Sequence, residues 1–244
     1  MFNHPWAIAA SLNLLLLAIA WLIPQKLLTP LGYLNAWILG VLVWGTLNWQ
    51  GYLVVMFYFL VGSAVTKIGL EQKTAAGIAE KRSGMRGPEN VWGSALTATI
   101  CAVATLFVDS PLKELLILGY VASFATKLSD TTASEVGKAY GKSTFLITTL
   151  QPVPRGTEGA VSLEGTLAGI IASIAIACVG WSVGLIKLYG IIICLIAAFV
   201  ATNLESVIGA TLQARFSWLT NEIVNLINTT IGAIVAIAIG ALIL

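Results

Sequence analysis

A chain of 244 residues that is 58% hydrophobic and only 10% charged, with a mean hydropathy of +0.91, has too little polar surface to face water all round. Lipid must be the solvent for much of it, which excludes an ordinary soluble domain with a single core. The net charge of +2 reflects a local basic excess and excludes a nucleic-acid surface.

The charges are unevenly placed. From Met1 to Thr66 the only one is Lys26, and after Gly165 there are only Lys187, Glu205, Arg215 and Glu222. Most of the others fall in two stretches, Lys67–Glu89 and Lys113–Glu164. Between them run the apolar segments Trp6–Ile23, Leu31–Leu47, Gly51–Thr66, Val91–Val108, Leu115–Lys127, Gly165–Lys187, Leu188–Ala210 and Ile223–Leu244. Several approach the roughly 20 residues that a membrane helix needs. The fifth is short and is completed by the semi-polar stretch after it. Leu31–Thr66 reads as two spans joined by a tight hairpin at Asn48-Trp49-Gln50-Gly51, flanked by the interfacial aromatics Trp44, Trp49 and Tyr52.

The expected fold is therefore all-α: a polytopic bundle of about eight (seven to eight) transmembrane helices forming one membrane domain over residues 1–244. With eight spans, one side carries Lys26, then Lys67, Lys73, Lys81, Arg82 and Arg86, then Lys127, Lys138, Lys142 and Arg155, then Arg215. Only Lys113 and Lys187 lie opposite. The positive-inside rule then puts both termini outside, and the stretches 67–90 and 128–164 become cytoplasmic loops. The first span lacks the basic leader of a cleavable signal, and no Arg- and Ser-rich transit segment is present. That pattern suits a bacterial plasma or thylakoid membrane, or a plastid membrane for a mature form.

Some chemistries are excluded at once. His4 is the only histidine, and Cys101, Cys178 and Cys194 lie in apolar stretches without CxxC spacing. A histidine-dependent hydrolase and a Cys/His zinc site are therefore not expected.

The informative residues begin at the end of the fifth span. Read as a helix, Lys127, Asp130, Ser134, Lys138 and Gly141 share a face, with Ala133, Gly137 and Gly141 as a small-residue strip beside it. Such a strip serves close helix packing or close approach of a phosphate. Asp130, a carboxylate at the edge of a span, points to function. Gly141-Lys142-Ser143 looks like the tail of a phosphate-binding P-loop, but Val136 occupies the position of its first glycine and no strand precedes it. That motif is excluded.

Pro152, Pro154, Gly156 and Gly159 then break any helix and make an ordered or lid-like loop carrying Arg155 and Glu158, with Glu164 at the mouth of the sixth span. The earlier loop, with Arg82, Arg86 and Asn90 among glycine-dependent turns, suits a polyphosphate or an anionic lipid, or only sets topology. Asn203 and Glu205 are intramembrane polar groups that should point into the bundle. Carboxylates, cations and glycines without histidine suit phosphoryl transfer, where magnesium and basic groups stabilise spread negative charge.

The run Ser129-Asp130-Thr-Thr-Ala-Ser-Glu135-Val-Gly137-Lys138-Ala-Tyr-Gly141-Lys142, followed by Ser162-Leu-Glu164-Gly165-Thr166, resembles the membrane phytyl-phosphate kinases of the vitamin E and phylloquinone pathways. A looser form is similar to motifs of phytol and dolichol kinases. The resemblance covers about Lys67 to Gln213. It implies transfer of the γ-phosphoryl group of CTP, or another nucleoside triphosphate, to a phytyl or other prenyl phosphate lipid. The roles it implies are magnesium (Mg2+) on Asp130 with Glu135 or Glu164, and phosphates on Lys127, Lys138, Lys142, Arg155, Gly137, Gly141, Gly165 and Thr166. Arg82, Arg86 and Asn90 would take nucleotide or lipid phosphate, with Glu158 and Glu205 secondary. Two alternatives stand beside it. One is a phytol or polyprenol kinase, in which Asp130 or Glu135 would act as base. The other is an ion-coupled transporter with Asp130 and Glu205 on its path.

Overall fold

The computed structural model describes residues 4–24, 26–213 and 215–243, with the side chains of Lys81 and Ser83 outside that set. Eight α-helices account for most of it: α1 (Pro5–Leu22), α2 (Pro30–Thr66), α3 (Leu70–Ala75), α4 (Pro88–Ala104), α5 (Leu112–Tyr140), α6 (Leu163–Ser182), α7 (Tyr189–Ile208) and α8 (Asn221–Ala241). Five are long and apolar enough to cross a membrane: α1, α2, α6, α7 with the π-helical turn Gly209–Gln213 that extends it, and α8. Of the other two long helices, α4 has 17 residues, and α5 carries the charged groups of the candidate site.

Helix starts follow local chemistry. Thr29 precedes Pro30 and its hydroxyl accepts from Gly32 N at 3.1 Å; Ser162 does the same for Gly165 N at 3.1 Å. Within α2 the backbone leaves helical geometry at Asn48 (φ 53°, ψ −157°), one of the few residue types that tolerates positive φ. A side-chain carbon built on Gly51 would sit 2.5 Å from Leu47 Cβ and 3.3 Å from Val43 Cγ1. Residues eight apart in a straight helix are separated by about 12 Å, so α2 doubles back here. The expected hairpin lies where the sequence put it, with the rings of Trp44 and Tyr52 packed edge-on at 5.2 Å.

Helix α5 is the hub, packing against α2, α4, α6, α7 and α8. Tyr120–Thr126 and Leu128 are wholly buried, so this helix faces protein all round despite its charges. Its approach to α6 is close: a side-chain carbon on Gly165 would meet Ala133 O at 2.5 Å, and one on Gly169 would meet Ser129 O at 2.9 Å. Ala133, Gly137 and Gly141 form the facing strip, which is why two backbones can come together.

The chain departs from the all-α expectation in the segment 128–164. Residues up to Tyr140 continue α5 without a break. Beyond them β1 (Thr144–Leu146) pairs antiparallel with β2 (Ala160–Ser162), in the register Thr144 to Ser162, Phe145 to Val161 and Leu146 to Ala160. The prolines and glycines that end the helix shape the connection between these strands, giving an ordered hairpin. The earlier stretch 67–90 is likewise structured, with α3 and a 3₁₀ turn at Lys81–Gly84.

Candidate active site

One polar cleft of about 840 Å³ opens where the C-terminal half of α5 meets α7, α8, the start of α6 and the 3₁₀ loop. Its floor is α5. Lys127 Nζ reaches Asp130 Oδ2 at 2.5 Å, one turn along the same helix, and donates to Asn225 Oδ1 of α8 at 2.7 Å. Glu205 comes from α7, faces the Lys127–Asp130 pair, and accepts from Asn228 Nδ2 of α8. Two carboxylates and one ammonium group thus converge from two helices, steadied by two asparagines of a third. Such a cluster inside a helical bundle survives only because each charge has an opposite charge or an amide beside it.

Further along the same face of α5, Lys138 Nζ meets Glu80 Oε1 at 3.1 Å and Glu135 Oε1 at 3.7 Å. Glu135 itself is held by the buried Lys73 of α3, whose Nζ also donates to Thr66 O at 2.9 Å. This ion pair fastens α3 to α5. Arg82 binds Glu89 and donates to Asn90 Oδ1 at 2.9 Å, and the guanidinium holds the Glu89 carboxyl below the usual carboxylate range. Asn90 in turn donates to Glu222 Oε1 at 3.5 Å, linking the loop to α8. Arg86 donates to Tyr58 OH at 2.9 Å.

The hairpin supplies the fourth wall. Gly159 has φ +75°, and any side-chain carbon there would lie 2.5 Å from Ser206 O and from Ala210 Cβ, so this turn is docked on α7 through bare backbone. Glu158, its neighbour, lines the cleft.

The cleft therefore brings together Lys127, Asp130, Glu135, Gly137, Lys138, Arg82, Arg86, Asn90, Glu158, Gly165, Thr166, Asn203 and Glu205. Four residues of the sequence-derived set do not line it. Glu164 stands on the first turn of α6, and Lys142 is exposed beyond the end of α5. Gly141 packs against Ser162. Arg155 donates to Ala139 O at 3.0 Å, capping the carbonyl end of α5. Gly165 and Gly169 are occupied by the α5 backbone, so their service is helix packing. Asn203 lines the cleft, but its amide donates to Phe199 O at 2.7 Å on its own helix.

Among the described residues no group of three or more His, Cys, Asp or Glu side chains is disposed to enclose a metal ion. The acidic side chains of Asp130 and Glu205 converge in the cleft; magnesium is usually held by one or two carboxylates, with waters and substrate phosphates completing its shell, so a donor set of this kind would suit it.

A match to a known family extends over residues 13–233, from α1 through most of α8. The chain belongs to the integral membrane protein family DUF92. Among the members of this family and its other relatives, the Synechocystis membrane protein sll0875, whose name gives no function, is 68% identical over 237 residues, covering 97% of this chain and 92% of that one. The chloroplastic protein VTE6 of Arabidopsis thaliana is 45% identical over 236 residues, 95% of this chain and 71% of that one. A Methanocaldococcus jannaschii membrane protein, MJ0933, is 32% identical over 210 residues, with 85% and 84% coverage. No solved structure matches the chain.

Sequence reasoning passed over Tyr58, Lys73, Glu80, Asn225 and Asn228. For the two asparagines a signal was present. They stand three apart in a mostly apolar helix, hence on one face, and an amide at that depth needs a polar partner.

Proposed function

We propose that this DUF92 chain is a kinase that transfers the γ-phosphoryl group of CTP, or of a related nucleoside triphosphate, to a prenyl monophosphate such as phytyl phosphate. The observation that carries the reading is the juxtaposition of Asp130 and Glu205 among Lys127, Lys138 and Arg86 in one cleft of a membrane bundle. The motif resemblance to phytyl-phosphate kinases runs through these same α5 residues, and the relationship to VTE6 supports it.

In the reaction the bond from the γ-phosphorus to the β,γ-bridging oxygen breaks and the nucleoside diphosphate leaves with that oxygen. A new bond forms between the γ-phosphorus and an oxygen of the lipid phosphate. That oxygen is already ionised near neutral pH, so no group need remove a proton, and the absence of histidine from the cleft is no obstacle. Asp130 is already engaged by Lys127, and a phosphate acceptor asks no carboxylate to take up a proton, whereas an alcohol would. Magnesium held by Asp130 and Glu205 would neutralise the nucleotide phosphates. Lys127 and Lys138 would meet charge developing on the transferred group, with Thr166 and the positive end of α6 beside them.

The topology proposed with this activity has eight crossings, α2 counting as two because of its reversal at Asn48. Both termini lie outside and the cleft faces the cytoplasm, where eleven of the thirteen basic residues fall.

The test uses purified protein in nanodiscs with Mg²⁺ and phytyl phosphate, supplied in parallel with CTP, UTP, ATP or GTP. Diphosphate should form with the wild type and fall by about a hundredfold or more with Asp130→Asn. No product with any nucleotide, from protein shown to be folded, overturns the proposed reaction.

A further inference from the structure

A second cavity lies beside the polar cleft. It is apolar, holds about 290 Å³, and is enclosed by α1, both arms of α2 and the first turns of α4. Three residues, Tyr58, Arg86 and Ser94, line both spaces, so the cavities meet at a common threshold. Arg86 dominates that threshold. Its guanidinium lies 5.0 Å from the Tyr58 ring centre and 5.7 Å from that of Phe59, and Nη1 donates to Tyr58 OH. Among the described residues Arg86 has no carboxylate partner, whereas Lys73, Arg82, Lys127 and Lys138 each have one. A half-buried guanidinium fixed by two rings but left without an anion is prepared for one supplied from outside.

We infer that this apolar cavity is the channel for the isoprenoid tail of a lipid monophosphate, and that Arg86 and Tyr58 hold its phosphate at the threshold of the polar cleft. The inference rests on the kinase reading for the identity of the headgroup and goes beyond it in locating the lipid. An amphiphile with one anionic end and one branched hydrocarbon end matches a cation at the mouth and an aliphatic wall behind it. The far end is closed by a polar pair, Tyr52 OH donating to Asn13 Oδ1 at 2.9 Å. Entry is through the α1 side. Only 11% of the most apolar stretch of α1 is buried, against 28–39% for the other four candidate spans, and α1 rests mainly on α2. A tail dissolved in the bilayer can part α1 from its neighbours at little cost in packing.

The experiment has a binding arm and a turnover arm, both on the full chain in nanodiscs. In the first, a diazirine-bearing phytyl phosphate is photolysed and the labelled peptides are mapped. Label is expected on α1 between Leu16 and Ala20 and on Met56, competed by phytyl phosphate. Arg86→Gln should weaken the competition by about tenfold to a hundredfold, the loss of a charge-assisted contact. In the second arm, phytyl phosphate and the short dimethylallyl phosphate are compared as acceptors. Ala20→Phe, which fills the channel, should raise KM for the long lipid about tenfold relative to the short one. Leu17→Ala, which widens the channel and does not depend on fitting a larger side chain, should shift the ratio the other way. If wild type forms no diphosphate yet is labelled on α1, the kinase reading falls and the channel stands. If wild type is active but the label falls elsewhere and both variants leave the ratio unchanged, the channel is overturned and the kinase stands.

Discussion

Asp130 and Glu205 are 75 residues apart in sequence and reach one point in space because α5 and α7 pack together around it. The roles proposed for them can be separated from those of carboxylates that merely sit near the motif. Glu205→Gln keeps the volume and can still accept from Asn228, so folding should be preserved while the charge facing Lys127 is lost. We expect kcat to fall by about a hundredfold with thermal stability in detergent little changed. Glu164→Gln, on a side chain outside the cleft, should leave kcat within about a factor of two, as surface substitutions generally do. The reverse ranking would return the site to the neighbourhood of Glu164. Asp130 was legible from sequence because a carboxylate at the edge of a span is costly wherever it points. That Glu205 is brought beside Asp130 was not, since it depends on how α7 docks against α5, and spacing along the chain carries no information on that. Glu135 illustrates the same limit. It shares a helix with Asp130, but Lys73, 62 residues earlier, comes back to claim it.

At the scale of the elements, local signals located the helices well. The apolar runs coincide closely with α1, the two arms of α2, α4, α6, α7 and α8, and the small-residue strip of α5 does face another helix. The hairpin within α2 was readable because Asn48 and Gly51 stand where a continuous helix would not place them between interfacial aromatics. What local signals could not separate was a loop from a helix that has become polar. The stretch after Lys127 loses its hydrophobicity because it lines a cleft, and it remains helical to Tyr140 because packing against its neighbours, α6 above all, outweighs the weak helix preference of its Ser, Thr, Asp and Gly residues. The strands β1 and β2 are three residues each, too short for an alternating pattern to register. The contact of α6 with α5 makes its own prediction. Gly165→Val would press a branched side chain onto Ala133 O, a backbone atom that cannot turn aside, and α6 must move outward. The expected cost is about 1–3 kcal/mol of stability, measured by reversible denaturant unfolding in detergent, together with loss of turnover because Asp130 lies one turn from the displaced contact. A variant with unaltered stability would mean that the two helices are not held at the separation described.

For the whole molecule, the central question is why so apolar a bundle gathers most of its charged groups at one end. A transporter would need polar groups continuing to the opposite face, yet α5 between Tyr120 and Thr126 is sealed on all sides by protein, and between Glu114 and Lys127 it carries no charged residue. A cleft open at one face and bordered by residues that also line an apolar chamber suits an enzyme whose one substrate comes from water and the other from lipid. That arrangement requires the cleft, the hairpin and the α7–α8 connection to lie on a single side, which single cysteines can report. Cys101 and Cys194 are buried and Cys178 is half-buried, so the native background should be low. Cysteines placed at the exposed positions Ser143 and Ser217 should react with a membrane-impermeant maleimide from the cytoplasmic side only. Those placed at Asn48 and Ser182, exposed at the other ends of their helices, should react from the outside only. The Asn48 result is the decisive one. If it reacts from the same side as Ser143, α2 does not cross twice, the basic residues before and after it no longer share a compartment, and the proposed cytoplasmic orientation of the cleft loses its physical basis.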